Sequence, residues 1–82
     1  MDSTKLVEWL IAEKQMSIRS AKDVLSRYCR ICRILGVNSI NSTSLDELQA
    51  NEQFKQSSIF IKSQLKRTVT LCQEFISKSE KR

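Results

Sequence analysis

Hydrophobic residues recur every three or four positions along most of the chain, a period typical of amphipathic α-helices. Near the N-terminus this period predicts a first helix over about residues 3–14, capped by Asp2 or Ser3. Trp9 lies on the apolar side of this helix. We therefore expect the first helix to pack through Trp9 as a core anchor.

The second predicted helix covers about residues 17–35 and has well-marked ends. Ser17 is expected to cap its N-terminus, and Gly36 follows its last turn, where a left-handed backbone is least strained for glycine. At about 100° per residue, one side of this helix is apolar and is expected to face the core. Its residues are Ala21, Val24, Leu25, Tyr28, Ile31, Cys32 and Leu35.

A polar connection, "GVNSINSTS", separates the second helix from the next element. Val37 and Ile40 are its apolar members and are expected to enter the core. Ser44 with Glu47 three positions later has the spacing of a capping box. This signal predicts a third, shorter helix over about residues 44–55.

A fourth helix is predicted over about residues 58–78 and is expected to pack across the second. Its apolar positions are Ile61, Leu65, Val69, Cys72, Phe75 and Ile76. The chain has no proline and one glycine, a composition that favours helices over strands with their many turns. The predicted fold is therefore all-α, a compact single-domain bundle of four helices spanning residues 1–82.

Length and composition limit the classes of function. With 82 residues, 40% hydrophobic and 28% charged, the chain has the size of one globular domain, too small for a substrate-binding domain beside a catalytic one. No small-molecule substrate is expected. The sequence has neither a membrane-spanning apolar run nor the pattern of a secretory signal, so we expect no membrane association and a cytoplasmic protein.

The three cysteines raise the question of a metal or redox site. Cys29 and Cys32 form a C-x-x-C pair, but zinc sites usually have four ligands, and the chain offers only Cys72 and no histidine beyond them. Redox pairs lie at a helix N-terminus, whereas these two lie deep inside the second helix. We therefore expect these cysteines to be small hydrophobic side chains that line the core, and we expect no bound metal ion.

The chain also lacks the residues that usually carry out catalysis. There is no histidine, and no serine, cysteine or lysine has a recognisable base beside it in the sequence. A glycine-rich phosphate loop is excluded because the chain has one glycine. We expect a protein that is not an enzyme and that uses no cofactor.

Positive charge is concentrated on the polar side of the second helix. The chain has a net charge of +5, and between Ser17 and Leu35 five cations stand against the single acid Asp23. At about 100° per residue, Arg27 falls on the flank of this side. The other members lie within about 60° of one line along the helix. They are Arg19, Lys22, Ser26, Arg30 and Arg33.

Two interpretations of this cationic side are open. It is either the ordinary solvated face of a surface helix or a binding surface for a polyanion. Solvated faces usually mix signs, whereas like charges three or four positions apart repel by a few tenths of a kcal/mol per pair. Phosphates of a DNA duplex remove that repulsion, and Ser26 is suited to donate a hydrogen bond to one of them. Double-stranded DNA is therefore the expected partner.

Three stretches of the chain together resemble the N-terminal core-binding domain, SAM-like in fold, of phage integrases and other tyrosine recombinases. The stretches are "WLIAEKQMSIRSAKDVLSRYCRICRILGV", "SINSTSLDELQ" and "SSIFIKSQLKRTVTLCQEFI", and the resemblance covers roughly Leu6 to Ile76. The positions that match the family patterns are Ser17, Ser20, Ala21, Val24, Tyr28 and Arg30, then Leu65, Val69, Cys72, Phe75 and Ile76. Val24 stands where the family often has tyrosine.

The resemblance implies a module that clamps one side of a DNA duplex through phosphate contacts, with limited reading of the bases. Strand-cutting residues of such recombinases belong to a separate catalytic domain, so a downstream catalytic domain is an implied partner. On the fourth helix the candidate DNA contacts are Lys62, Lys66 and Arg67, which lie on two sides of it. A looser basic cluster, Lys78, Lys81 and Arg82, ends the chain.

An alternative hypothesis is a small helical adaptor that binds another protein. It requires an exposed apolar patch away from the main core positions. The candidate residues are Phe54, Ile59, Phe60 and Leu71. The cationic side of the second helix favours DNA as the partner, whereas this apolar patch favours a protein. The sequence does not decide between the two hypotheses.

Overall fold

The computed structural model describes residues 3–80, and the side chains of residues 3–78. This part of the chain is helical and contains no strand, which confirms the predicted all-α class. It measures about 34 × 26 × 16 Å along its principal axes. The helices are α1 (Ser3–Lys14), α2 (Ile18–Leu35), α3 (Ser44–Ala50), α4 (Glu52–Lys55) and α5 (Ile59–Glu80).

The helix α2 is the centre of the packing. It contacts α1, α3 and α5, and the apolar side predicted from its sequence is turned inward. Leu6 and Leu10 of α1 meet it in the core, as does Ile40 of the connection, which is 2% exposed. The buried residues of α2 are Ala21, Val24, Tyr28, Ile31 and Cys32, with Leu25 and Leu35 half-buried against them.

Both ends of α2 are fixed as the sequence predicts. The Ser17 hydroxyl accepts a hydrogen bond from the Ser20 N–H at 3.1 Å, which satisfies one free donor of the first turn. At the other end Gly36 has φ +67° and donates its N–H to the carbonyl of Arg33, while Val37 donates to Cys32. This pair of bonds is the Schellman arrangement, which ends a helix with a left-handed residue.

Residues 3–80 form five helices where four were predicted, because the third predicted helix is interrupted at Asn51. Asn51 has an extended backbone (φ −75°, ψ 131°), and its side chain accepts a hydrogen bond from the Phe54 N–H at 3.1 Å. The same side chain donates to the Ile34 carbonyl at the end of α2, 3.4 Å away. The break turns α4 so that Phe54 is buried, at 5% exposed.

The predicted capping box at Ser44 is also wrong. Thr43 occupies the N-cap position, and Ser44 is already inside the helix and 1% exposed. The Ser44 hydroxyl accepts from the Asn41 N–H at 2.8 Å, so it stabilises the preceding turn. Thr43 instead donates its hydroxyl proton to the Glu47 carboxylate at 2.6 Å. The helix nevertheless begins at Ser44, where the predicted one begins, and only the capping residue differs.

Trp9 joins α1 to α5 at the edge of the core. Its half-buried ring lies 5.5 Å from the ring of Phe75, centroid to centroid, at an angle of 57°. The ammonium groups of Lys14 and Lys78 lie 5.4 Å and 5.7 Å from its centroid. Trp9 is thus an anchor between two helices, but at the edge of the core and not inside it as predicted, and cations cover its outer side. Asp2, the alternative cap of α1, and the basic residues Lys81 and Arg82 lie outside the described residues.

The helix α5 packs against both α1 and α2. Lys14, just before α2 begins, pairs with Glu74 near the end of α5, with Nζ and Oε2 2.6 Å apart. Further along α2, Arg27 contacts Thr68, which precedes Glu74 in α5. Hydrogen bonding to the Lys14 ammonium lowers the pKa of the Glu74 carboxyl.

Replacement of Gly36 tests how far the end of α2 depends on the left-handed conformation. A Cβ built at Gly36 meets no atom within 4 Å, so Gly36→Ala changes only the backbone preference. We expect it to lower the free energy of unfolding by about 1 kcal/mol, and Gly36→Asn to lower it less, because asparagine tolerates this conformation better. Urea denaturation measures both values, and an alanine variant as stable as the wild type would contradict the assignment.

Candidate nucleic-acid interface

The outer side of α2 is a predominantly cationic surface, which we call the basic face. The acid Asp23 lies on the same side, about 40° from Arg19 around the helix. From Arg19 to Arg33 this face extends about 21 Å along the helix at 1.5 Å per residue. All of its members are exposed, as the sequence predicted: Arg19, Lys22, Ser26, Arg30 and Arg33. The face points outward because the opposite side of α2 is buried against three other helices.

The cations of the basic face have no acidic partner among the described residues. The ion pairs within 4.0 Å in this part of the chain join Lys14 to Glu74 and Lys55 to Glu52. Asp23, the acid of α2, is exposed and lies in neither pair. The surface therefore keeps a net positive charge, with Asp23 as the acid on the same side of α2.

Arg27 differs from the other cations of α2 because it is half-buried and held in place. Its Nε–H donates to the hydroxyl oxygen of Thr68 at 3.0 Å, and Thr68 is 1% exposed. The Thr68 hydroxyl in turn donates to the carbonyl of Gln64 at 2.9 Å. A buried hydroxyl on α5 thus fixes the direction in which the Arg27 guanidinium points.

A groove of about 300 Å³ lies between α2 and α5 beside the basic face. Its lining is partly apolar and partly polar and includes charged side chains of both signs. Its lining residues are Met16, Ser20, Asp23, Val24 and Arg27 on one side and Gln64, Arg67, Thr68 and Leu71 on the other. The sequence did not predict this groove, because it exists only where two helices distant in the chain pack together.

The structure separates the three cations predicted as DNA contacts on α5. Arg67 lines the groove together with Arg27. Lys62 and Lys66 lie about 140° and 100° away from Arg67 around the helix, on another side of α5. Lys66 is exposed and Lys62 is half-buried. Arg67 alone among them shares a surface with the cations of α2.

The cysteines divide into one exposed and two buried thiols. Cys29 is exposed on α2, so the prediction that it lines the core is wrong. Cys32 and Cys72 are buried, as predicted, and burial raises the pKa of both thiols, that of Cys72 to about 12. Within the described residues no group of three or more cysteine, aspartate or glutamate side chains is arranged to hold a metal ion.

Comparisons with known proteins do not assign this chain to a family. No protein-family model, curated protein or solved structure matches the chain. The resemblance to core-binding domains of recombinases thus stays a prediction from the quoted stretches. Among the described helices, none has the length and apolar character needed to cross a lipid bilayer.

The burial of the thiols predicts their reactivity. Thiolates, not thiols, attack disulfide reagents, and a buried thiol with a pKa of about 12 is protonated near pH 8. With an aromatic disulfide reagent, we expect Cys29 to react at once in the native protein, and Cys32 and Cys72 to react only after denaturation.

The variant Cys29→Ser is the control for this measurement. It should abolish the fast phase in the native protein and leave two thiols that titrate in denaturant. Fast reaction of more than one thiol per native chain would show that the packing of α2 against α5 is looser than described.

Proposed function

We propose that the chain is a non-catalytic DNA-binding module that contacts the phosphates of a duplex through the basic face of α2. One observation carries this proposal: Arg19, Lys22, Arg30 and Arg33 are exposed on one side of a rigid helix and pair with no acid in the described structure. Four cations against the single acid Asp23 are a larger excess of one sign than an ordinary solvated face usually carries.

Electrostatics favours a polyanion as the ligand. Arg19 with Lys22, and Arg30 with Arg33, are like charges three positions apart on a helix, and each such pair destabilises it by about 0.2–0.5 kcal/mol. Duplex DNA carries one negative charge per roughly 1.7 Å of its axis, so several phosphates lie within the length of the basic face. Binding neutralises the repulsion and releases counterions from the DNA.

The chemistry of the basic face suits positioning on DNA better than reading of its sequence. Arginine and lysine bound to phosphate carry no base information, and the Ser26 hydroxyl between them is a further phosphate donor. Sequence preference therefore comes from another part of the assembly. This division agrees with the resemblance to recombinase core-binding domains, in which strand cutting resides in a separate catalytic domain and the module clamps the duplex in the cytoplasm.

A second candidate function, an adaptor that binds another protein, is favoured by one observation. Ile59 and Phe60 are 83% and 68% exposed at the start of α5. The larger patch predicted from the sequence does not form, because Phe54 is buried and Leu71 is half-buried against the core. Ile59 and Phe60 remain as an apolar surface that is small for a protein-binding site.

Removal of two charges from the basic face tests the proposal. Each phosphate contact contributes about 0.9 to the slope of log affinity against log salt concentration. We expect the variant Arg30→Ala with Arg33→Ala to bind duplexes of any sequence more weakly and to lower that slope by about two. Titration of a labelled duplex at several salt concentrations measures both effects.

The matched control is Lys62→Ala with Lys66→Ala, which removes the same charge from a side of α5 away from the basic face. We expect it to leave the slope nearly unchanged. Equal effects of the two double variants would indicate attraction by net charge alone. Failure of the intact chain to bind any duplex at low salt would overturn the proposal.

A further inference from the structure

The groove between α2 and α5 has the chemistry of a small binding site of its own. No residue of the basic face lines it. Around α2, the groove residues from Ser20 to Arg27 lie about 40–140° from Arg19, on one flank of the basic face. Its volume of about 300 Å³ is at the lower end of ligand pockets in proteins, which suits a few side chains of a partner better than a large ligand.

Arg27 brings an oriented guanidinium to this groove. Thr68 accepts a hydrogen bond from its Nε–H at 3.0 Å, and this bond leaves the N–H groups of both Nη atoms available. The described part of the chain offers those groups no acceptor. Asp23 lies one turn earlier, at the spacing of an i,i+4 pair, yet it forms no ion pair with Arg27. A guanidinium held in this way presents parallel donors that bind a carboxylate or a phosphate through two hydrogen bonds.

A second guanidinium and several apolar side chains complete the lining. Arg67 lines the groove from α5 and is exposed. Met16 and Leu71 line it as half-buried apolar side chains, next to the buried Val24. A ligand that covers the exposed parts of Met16 and Leu71 gains about 25 cal/mol per Å² of apolar surface removed from water. The groove therefore complements a ligand with both an anionic group and an apolar part.

Asp23 distinguishes a carboxylate on a peptide from the phosphates of a nucleic acid. It lines the groove about 6 Å along α2 from Arg27. Duplex DNA carries one charge per roughly 1.7 Å of its axis, so a strand laid in this groove brings phosphate close to the Asp23 carboxylate as well as to Arg27. The phosphates also offer nothing apolar to Met16 and Leu71. A peptide carries a single carboxylate at one position, an apolar side chain at the next, and N–H groups that donate to Asp23.

We propose that this groove binds an acidic segment of a partner protein, in which a glutamate or aspartate lies beside an apolar side chain. The carboxylate is bound by Arg27 and Arg67. The apolar side chain packs against Met16 and Leu71, and Asp23 accepts a hydrogen bond from an N–H group of the segment. The inference goes beyond the proposed function and does not depend on it, because the groove uses no residue of the basic face.

Selection from a displayed library of random short peptides, with the intact chain as bait, tests the inference. We expect the enriched peptides to share an acidic residue next to an apolar one. A labelled peptide of this kind should bind the chain in fluorescence anisotropy. Replacement of its acidic residue by the neutral amide should weaken binding at least about tenfold, because hydrogen bonds between charged groups are the strong ones.

Matched protein variants locate the binding site. Arg27→Ala and Arg67→Ala should each weaken binding of the selected peptide at least about tenfold. Arg30→Ala and Lys66→Ala remove the same charge from the same two helices outside the groove, and they should change the affinity less than about twofold because exposed charges away from the ligand are screened. The Arg67 side chain is exposed, so its removal leaves the core packing intact and the test does not depend on the stability of Arg27→Ala.

The outcomes separate this inference from the proposed function. Enrichment of no peptide, or of peptides without an acidic residue, would overturn the inference, as would equal effects of Arg27→Ala and Arg30→Ala on peptide binding. Loss of duplex affinity in Arg27→Ala and Arg67→Ala equal to the loss in Arg30→Ala would assign the groove to DNA and overturn it as well. A chain that binds the acidic peptide through the groove but binds no duplex would overturn the proposed function and leave the peptide site standing.

Discussion

Burial of one side of α2 controls the arrangement of the whole domain. Its apolar residues contact α1, α3 and α5 at once, so the other helices are placed by the need to cover this one surface. Because an α-helix is rigid, fixing one side fixes the opposite side as well. The outward direction of the arginines is therefore a consequence of core packing, and no separate interaction is required to hold the basic face in the solvent.

The features of α2 were predictable because they are encoded locally. Ser17 and Gly36 act through hydrogen bonds within a few residues, and the apolar side follows from a period of 3.6. The third predicted helix was wrong because Asn51 interrupts it, and the sequence alone does not show whether an asparagine caps a helix or lies inside one. Asn51 is compatible with a helix interior, and its preference for capping prevails here because it also binds the Ile34 carbonyl and because the break buries Phe54.

The groove and its polar contacts could not be predicted from the sequence. Thr68 reads as an unremarkable polar position of an amphipathic helix, and only its contact with Arg27, 41 residues away in the chain, gives it a role. Cys29 was predicted to be buried because of its residue type. Its position around α2 exposes it instead. Periodicity fixes which side of a helix a residue occupies. Which sides of two helices meet depends on the packing of all of them together.

The arginines of α2 fall into two physical groups that suit different tasks. Arg30 and Arg33 are exposed and free to change rotamer, so they lose side-chain entropy when they bind but can follow phosphates in different positions. Arg27 has already lost that freedom to Thr68, so its guanidinium binds a ligand of matching geometry with less further loss. The two groups therefore differ in the side-chain entropy that binding any ligand would cost them.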